Sequence, residues 1–388
     1  MKKIFIAGCG GMLGEAFYKV YSDEYELKCT DIDVNSEWLS YLDFRDLEAY
    51  QTAVEDFNSD YLFHLGAFTD LEYCENHVDE TYLTNTLSVE NATLIANKLD
   101  IPILYISTAG IFDGAQELYD DWDKPNPVCQ YARSKYAGEL YVQAHAKRYL
   151  ILRAGWMMGG GPAKDKKFVA KILKQLKNGS TELNVVDDKL GTPTYTMDFA
   201  DNSKLLLSKE IWGLYNLVCE GLTGRYEVAS EILKVLSLES SVTLNKVSSD
   251  FFKEEYFAPR PPSERLVNKK LELNLLYIFE THVHADHITA ADTIRTKTNA
   301  KVVYGSKTGV KGSDIFLEDN QTISLGKHEI KAIHTPGHTS GCTSYYVEGY
   351  IFTGDTLFIE GTGRTDFQGG SASDTYDSIT KKIFCFSD

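Results

Sequence analysis

Tyr131 and Lys135 are the two residues whose types and spacing most directly suggest chemistry. They stand four positions apart in the stretch Tyr-Ala-Arg-Ser-Lys, which places a phenol and an ammonium group on the same face of a helix. A free tyrosine has a pKa of about 10, so it can act as an acid or base near neutrality only where a nearby cation stabilises its phenolate. The spacing therefore indicates proton transfer, with an exposed amphipathic helix as the alternative.

A glycine-rich turn near the N-terminus has the pattern of a dinucleotide-binding site. A short apolar strand over 3–7 runs into Gly-Cys-Gly-Gly-Met-Leu-Gly at 8–14, and a helix is predicted over 15–21. Such glycines let the backbone approach a pyrophosphate, whose charge is met by amide groups at the helix N-terminus. A second strand, 26–30, leads to Asp31, where a carboxylate would bind an adenosine ribose and disfavour a 2′-phosphate. NAD(H) is thus favoured; the alternatives are an ordinary tight turn and an aspartate that only caps a loop.

A third set of candidates is a histidine cluster in the last third of the chain. Six of the nine histidines lie between His282 and His338, beginning with His-Val-His-Ala-Asp-His at 282–287 after a strand predicted over 276–279. This run puts several kinds of metal ligand into one loop, and Asp355 follows in Thr-Gly-Asp-Thr. Two histidines and one carboxylate form the facial set of a non-haem Fe(II) site. The alternative is an exposed polar loop.

Alternating strands and helices must position these groups. Beyond the first two strands, we predict apolar strands over 61–65, 103–106, 149–152 and 213–218. Alternation of this kind implies an α/β fold with a parallel, doubly wound sheet. Ligands of such sheets bind beyond the carboxyl ends of the strands, where residues 65–67, 107–108 and 153–156 are expected. Thr108 is near enough to Tyr131 along the chain for both side chains to share one substrate oxygen.

Residues 1–276 resemble the extended short-chain dehydrogenase/reductases, and among them the dTDP-4-dehydrorhamnose reductases. The resemblance implies a Rossmann-type sheet with a small substrate-binding subdomain, and hydride transfer from a nicotinamide to the C4 ketone of a nucleotide-linked 4-keto-6-deoxy-sugar. These reductases usually carry Asp-Tyr after the Ser-Thr pair, whereas this chain has Ala109 and Gly110. The resemblance therefore specifies the reaction more closely than the sugar. The motifs that carry it are the glycine turn at 8–14 and residues 106–114, 131–139, 153–156, 188–194 and 260–261.

The resemblance also implies roles for individual residues. Tyr131 would donate the proton, Lys135 would hold the nicotinamide ribose and lower the tyrosine pKa, and Thr108 would hydrogen-bond the ketone oxygen. Because charge appears on that oxygen during reduction, such donors stabilise the transition state more than the ground state. Trp156 and Arg260 are the candidate substrate contacts. The candidate contacts for NAD(H) or NADP(H) are Gly8, Gly11, Met12, Leu13, Gly14, Asp31, Asp43, Phe44, Gly66, Ala67 and Lys135.

Residues 277–388 resemble the metallo-β-lactamase superfamily, and the persulfide dioxygenases in particular, through residues 280–289 and 361–370. The resemblance implies an αββα sandwich and a glutathione carboxylate bound by Arg364. The segment is incomplete by this standard, because opening strands and a later His-Asp-Tyr stretch are missing, so we expect weak metal binding. A fusion with a degenerate second domain, a truncated chain and an accidental join of two genes all stay open. The implied ligands of Fe(II) or Zn are His284, His338 and Asp355, with His282, Asp286 and His287 as further candidates.

Composition narrows the classes of function. The 388 residues are enough for two domains, 1–276 and 277–388, and the apolar fraction of 43% is ample for their cores. A net charge of −17 argues against nucleic acid as a partner. No run approaches the roughly 18 apolar residues of a membrane helix, so a cytoplasmic protein with seven reduced cysteines is expected.

Three functional hypotheses follow. The first is an NAD(P)H-dependent reductase of a nucleotide-sugar, with a homodimer left open. The second is a bifunctional fusion that adds iron-dependent persulfide dioxygenase activity. The third is a non-catalytic binding module, as in the regulatory subunit of methionine adenosyltransferase. Other sugar-nucleotide reductases and epimerases share the catalytic set.

Overall fold

Two compact units make up the chain, Met1–Glu272 and Leu273–Asp388. The structure is a computed structural model, and it describes residues 1–271, 275–283 and 289–386, without the side chain of Pro162. In that described part, none of the helices combines the length and apolar character that a membrane-spanning helix needs.

A seven-stranded parallel sheet forms the centre of the first unit. Its strand order is β11-β6-β5-β4-β1-β2-β3, and each neighbouring pair is parallel. The predicted Rossmann-type doubly wound sheet is therefore confirmed. The strands of the first unit are β1 (Lys3–Ala7), β2 (Glu26–Asp31), β3 (Leu39–Tyr41), β4 (Tyr61–His64), β5 (Ile103–Thr108), β6 (Tyr149–Ala154), β7 (Trp156–Met158), β8 (Glu182–Val186), β9 (Leu190–Gly191), β10 (Pro193–Tyr195), β11 (Gly213–Asn216), β12 (Thr223–Gly224), β13 (Thr243–Val247) and β14 (Ser263–Glu264).

Helices cover both faces of this sheet. Residues of the central strands such as Ile4 and Phe5 alternate between two separate apolar cores, because successive side chains of a strand point to opposite faces. One core includes Phe17 of α1, and the other includes Val89 of α5. The helices are α1 (Met12–Tyr21), α2 (Leu47–Phe57), α3 (Leu71–Asn76), α4 (Val78–Tyr82), α5 (Ser88–Leu99), α6 (Gln130–His145), α7 (Gly161–Lys164), α8 (Phe168–Lys177), α9 (Thr196–Ser208) and α10 (Arg225–Val235).

A small subdomain follows the sixth strand. β8 and β13 pair in parallel, and α8 and α10 contribute Ile172 and Leu233 to a core that includes Leu183 of β8. The short strand β14 pairs with β9, and these two strands form a separate three-stranded sheet with β12. The predicted small substrate-binding subdomain corresponds to this region.

The second unit contains two sheets among its described residues. One is parallel, with the order β15-β16-β17, and the other is antiparallel, with the order β18-β19-β20-β21. They share a core that includes Val303 of β16, Ile330 of β19 and Tyr345 of β20. Its elements are β15 (Tyr277–Phe279), α11 (Ala291–Thr298), β16 (Lys301–Gly305), β17 (Ile315–Leu317), β18 (Thr322–Leu325), β19 (His328–His334), β20 (Thr343–Val347), β21 (Tyr350–Phe352) and α12 (Ala372–Ser378).

Candidate active site and metal cluster

The glycine turn brings the first strand, the first helix and the fourth strand into close contact. Gly8 has φ +75, and a Cβ there would lie 2.1 Å from the Cα of Gly66 after β4. A Cβ on Gly14 would lie 2.1 Å from the carbonyl oxygen of Cys9. Helix α1 begins at Met12, after a glycine with no side chain to cap its amide groups. A turn this tight, ending at a helix N-terminus, fits a dinucleotide pyrophosphate.

Asp31 stands at the carboxyl end of β2 and braces this turn. One carboxylate oxygen accepts a hydrogen bond from the Gly10 amide at 2.8 Å, and the other accepts one from the Asp33 amide at 2.9 Å. Each oxygen keeps a second lone pair for a ribose hydroxyl. Lys164 of α7 also reaches the turn and donates to the Gly10 carbonyl at 2.9 Å. Lys164 was not predicted, because the short helix that carries it is distant along the chain from the glycine turn.

The remaining candidate cofactor residues line the same edge of the sheet. Phe44 packs edge-to-face on buried His64 with ring centroids 4.9 Å apart, and a Cβ on Gly66 would lie 2.2 Å from the Phe44 ring. Asp43 is paired with Arg45 at 2.6 Å, and this hydrogen-bonded partner lowers the pKa of the Asp43 carboxyl. Ala67 follows directly in the same loop.

Thr108 and Tyr131 meet beyond the end of β5. The Thr108 hydroxyl accepts a hydrogen bond from the Gly110 amide at 3.2 Å, which leaves its own proton free to donate. It hydrogen-bonds the phenol of Tyr131, but burial has the larger effect and raises the pKa of that phenol. The pKa of Tyr131 is thus raised and not lowered in this structure, because desolvation outweighs the stabilisation of the phenolate, and the contribution of Lys135 stays a prediction. Tyr131 is accordingly protonated at neutral pH.

Lys135 lies one turn further along α6 and faces the same strand. Its side chain is buried, with Nζ 4.2 Å from the centroid of the Tyr105 ring on β5. Burial lowers the pKa of Lys135 to about 7, and the Glu139 carboxylate opposes this shift. An ammonium group in such a place gains much from hydroxyl partners.

Two buried groups that sequence reasoning missed hold α6 in place. Glu139 forms a two-point salt bridge with Arg153 at the end of β6, with N–O distances of 2.7 and 3.1 Å. Asn85 donates to the Ser134 hydroxyl at 3.1 Å, and that hydroxyl donates to the Tyr131 carbonyl at 2.8 Å. The partners of α6 in these contacts, Arg153 and Asn85, come from segments whose approach to the helix depends on the tertiary fold. Glu139 and Arg153 lie within the motifs at 131–139 and 153–156, whereas Asn85 had no signal in the sequence.

The two candidate substrate residues are placed differently. The Trp156 indole donates to Glu264 at 2.7 Å, and the Arg225 guanidinium lies 4.6 Å from its ring centroid. Arg260 instead forms a salt bridge with Glu72 at 2.8 Å, so its charge is already paired within the chain. Neither Arg225 nor Glu264 was predicted, because both come from elements far from the motifs.

A potential metal-binding cluster lies in the second unit. His282, His338 and Asp355 each offer one ligand atom, and these atoms all lie within 4.8 Å of one another. An Asp355 carboxylate oxygen is 3.5 Å from Nε2 of His338 and 3.9 Å from Nε2 of His282. The three residues come from loops around β15, β19 and β21. Two imidazoles and one carboxylate at this separation fit Fe(II) or Zn.

The outer nitrogens of both histidines are hydrogen-bonded. Nδ1 of His338 lies 2.7 Å from the Arg364 carbonyl, and Nδ1 of His282 lies 3.0 Å from the Thr281 hydroxyl. A carbonyl only accepts, so His338 carries its proton on Nδ1 and presents the lone pair of Nε2 to the cluster. This arrangement is typical of metal-binding histidines.

Of the six predicted metal ligands, the structure brings together His338, Asp355 and His282, the last of which was only a further candidate. The predicted ligands His284, Asp286 and His287 lie outside the described residues. The Arg364 side chain is paired with Asp366 at 2.8 and 3.0 Å.

Comparison with known proteins places the first unit in a family. A family model described as "RmlD substrate binding domain" matches residues 1–290. The chain belongs to this family. Among solved structures, dTDP-4-dehydrorhamnose reductase from Yersinia enterocolitica is 32% identical with a TM-score of 0.63, covering 69% of this chain and 90% of that one. The enzyme of the same name from Bacillus anthracis, solved with NADP, is 27% identical with a TM-score of 0.64, covering 71% and 93%.

A second family model, the metallo-beta-lactamase superfamily, matches residues 261–383. Human mitochondrial persulfide dioxygenase is 38% identical over 125 residues, which cover 32% of this chain and 49% of that protein. The chain thus spans about half the length of this relative. The resemblances stated from the sequence are confirmed for both units.

Proposed function

We propose that the first unit reduces the C4 ketone of a nucleotide-linked 4-keto-6-deoxy-sugar with NADH or NADPH. The observation that carries this proposal is the contact between Thr108 and protonated Tyr131, with Lys135 one helical turn away, beyond the strand ends of an RmlD-family fold. The names of the solved relatives support this substrate class. An intact set of donors favours catalysis over a binding module.

The residues would divide the reaction as follows. When bound, the nicotinamide would supply the hydride that the ketone carbon accepts. Thr108 would donate a hydrogen bond to the ketone oxygen, and Tyr131 would transfer its proton to that oxygen as negative charge develops. Lys135 would bind the nicotinamide ribose, which replaces part of the hydration that burial removes. Trp156 would border the sugar.

Either nicotinamide cofactor is compatible with the adenosine end of the site. The Asp31 carboxylate favours ribose hydroxyls and repels a 2′-phosphate, whereas the ammonium of Lys164 reaches the same turn and would attract one. The relative from Bacillus anthracis was solved with NADP. We therefore propose use of both NADH and NADPH.

The experiment is an assay of the purified chain with dTDP-4-dehydrorhamnose and each reduced cofactor. We expect oxidation of the cofactor that depends on the sugar nucleotide, with dTDP-rhamnose as the product by mass spectrometry. If the chain binds the cofactor but reduces none of the 4-keto-6-deoxy-sugar nucleotides, the reductase hypothesis is wrong and the result supports a non-catalytic binding module.

A second function rests on the cluster of His282, His338 and Asp355. The ligand types and the hydrogen-bonded outer nitrogens support binding of Fe(II) or Zn in the second unit. Bound Fe(II) would supply oxygen chemistry, and the resemblance to persulfide dioxygenase names glutathione persulfide as the substrate to test. Metal analysis of the purified chain, followed by oxygen uptake on that persulfide, decides between a loaded enzyme and the weak metal binder expected from the sequence.

A further inference from the structure

Glu264 is an acidic residue that reaches the reductase site from the end of the first unit. It lies on β14, which pairs in parallel with β9 so that Glu264 stands opposite Gly191. The Trp156 ring packs directly on Gly191. A strand pairing of only two residues therefore carries a carboxylate to the side of Trp156 that faces the catalytic groups.

The two carboxylate oxygens of Glu264 have different surroundings. Oε2 accepts the hydrogen bond from the Trp156 indole at 2.7 Å, which fixes the orientation of the group. Oε1 points towards Gly110, where a Cβ would lie 3.3 Å from it, 3.5 Å from the Thr108 hydroxyl oxygen and 3.8 Å from the Tyr131 ring. The free oxygen thus borders the place where a ketone would meet its two donors.

Gly110 makes room for this approach. Residue 110 is a glycine, so it places no side chain between the Thr108 hydroxyl and the Glu264 carboxylate. Even one methyl group at 110 would crowd the Glu264 carboxylate at 3.3 Å. The glycine at position 110 therefore leaves the space that the Glu264 carboxylate occupies.

The negative charge of Glu264 affects the pKa values of neighbouring side chains. It raises the pKa of the Tyr131 phenol, although burial and the effect of Cys129 are larger, and its attraction to the partly buried Arg225 opposes the desolvation of that guanidinium. Glu264 itself is only partly buried. The indole of Trp156 therefore holds Oε2 of Glu264, whereas Oε1 faces the space beside Gly110.

We propose that Glu264 is a substrate-contacting residue, whose free carboxylate oxygen accepts a hydrogen bond from a hydroxyl group of the sugar next to the ketone. This inference rests on the proposed function, since it assumes that the sugar occupies the space beside Thr108 and Tyr131. Carboxylates are the acceptors that bind sugar hydroxyls most strongly, because the bond is charge-assisted. Glu264 would then select sugars that carry this hydroxyl.

The test compares the binding of dTDP-rhamnose and of bare dTDP, measured by calorimetry in the presence of NADH. In Glu264→Gln the amide oxygen still accepts from Trp156, but the charge is lost. We expect the preference for the sugar nucleotide over dTDP to fall about 10-fold or more, the loss of a hydrogen bond to a charged group, with dTDP affinity unchanged. Because binding needs no turnover, this result is independent of whether the wild-type chain proves to be a reductase.

Two further variants complete the design. Gly110→Ala crowds the same oxygen without touching Glu264, and it should weaken the sugar preference in the same direction. Glu117→Gln is the matched control, because that exposed carboxylate pairs with Arg265, next to Glu264, at 3.1 Å, and its variant should bind like wild type. An unchanged preference in folded Glu264→Gln and Gly110→Ala, or no preference in the wild-type chain, would overturn the proposal.

Discussion

In the first unit the candidate catalytic groups stand on regular secondary structure, whereas in the second the metal ligands stand on loops. Tyr131 and Lys135 both lie on α6, and Thr108 is the last residue of β5 in the central sheet. His338 and Asp355, by contrast, follow two different strands, and only their folding brings the ligand atoms within 4.8 Å. A site whose residues share one helix can therefore be predicted from their spacing in the sequence. A site whose residues come from separate loops cannot, because only the folded chain brings those loops together.

The two sites also differ in how burial acts on them. Burial raises the pKa of Tyr131 and lowers that of Lys135 to about 7, so both groups are biased towards their neutral forms. In the second unit the Arg364 carbonyl accepts a hydrogen bond from Nδ1 of His338, which leaves the lone pair of Nε2 for the cluster. The reductase site therefore needs a bound cofactor to stabilise the charge of Lys135, whereas the cluster in the second unit is suited to binding a cation.

The largest effect is expected from Tyr131→Phe, which removes the proton donor and leaves the fold intact. Reductase kcat should fall about 10²–10⁴-fold, while NADH affinity stays the same. Tyr136→Phe, on the same helix, is the control and should keep wild-type kcat. Comparable kcat values for the two variants would mean that the proton comes from elsewhere.

A second prediction tests the buried salt bridge between Glu139 of α6 and Arg153. Glu139→Gln leaves the buried Arg153 guanidinium without its charged partner, and we expect a loss of about 3–5 kcal/mol in the free energy of unfolding. Denaturant titration measures this. Glu231→Gln breaks the exposed pair with Lys234 and should cause no measurable change, as surface pairs contribute little.

A third prediction addresses the loops of the second unit. His338→Ala should lower the affinity for Fe(II) or Zn about 10–100-fold or more, since it removes a ligand rather than an outer partner of one. His328→Ala is the matched control, because that histidine pairs with Glu348 at 2.9 Å on an exposed part of β19. Metal content after dialysis distinguishes them, and reductase activity should be the same in both variants. Equal metal content in the two variants would mean that the metal ion does not bind at His338.

The smallest effect concerns pH. If the ammonium form of Lys135 binds the ribose, binding takes up a proton above the pKa of about 7, so NADH affinity should fall as pH rises, by up to about tenfold per pH unit. Below that pH the lysine is already charged and affinity should level off. Lys135→Met should bind more weakly and show a flat profile. A flat profile in the wild-type chain would contradict the role of the ammonium group.

The sheet, the glycine turn and the catalytic motif could be predicted from the sequence alone. Strand–helix alternation predicted the parallel sheet, and local spacing placed Tyr131 and Lys135 on one helix face, because these features depend on neighbours within a few residues. The resemblance to two families came from motifs of the same local kind.

Only the tertiary structure decided which distant groups join these motifs. Glu264 reaches Trp156 through a two-residue strand pairing, Asn85 reaches the Tyr131 helix through Ser134, and His282 joins His338 and Asp355 across three loops. It also reversed the expected shift in the Tyr131 pKa. The physical reason is shared: burial and long-range contacts are set by packing, which no local spacing in the chain records.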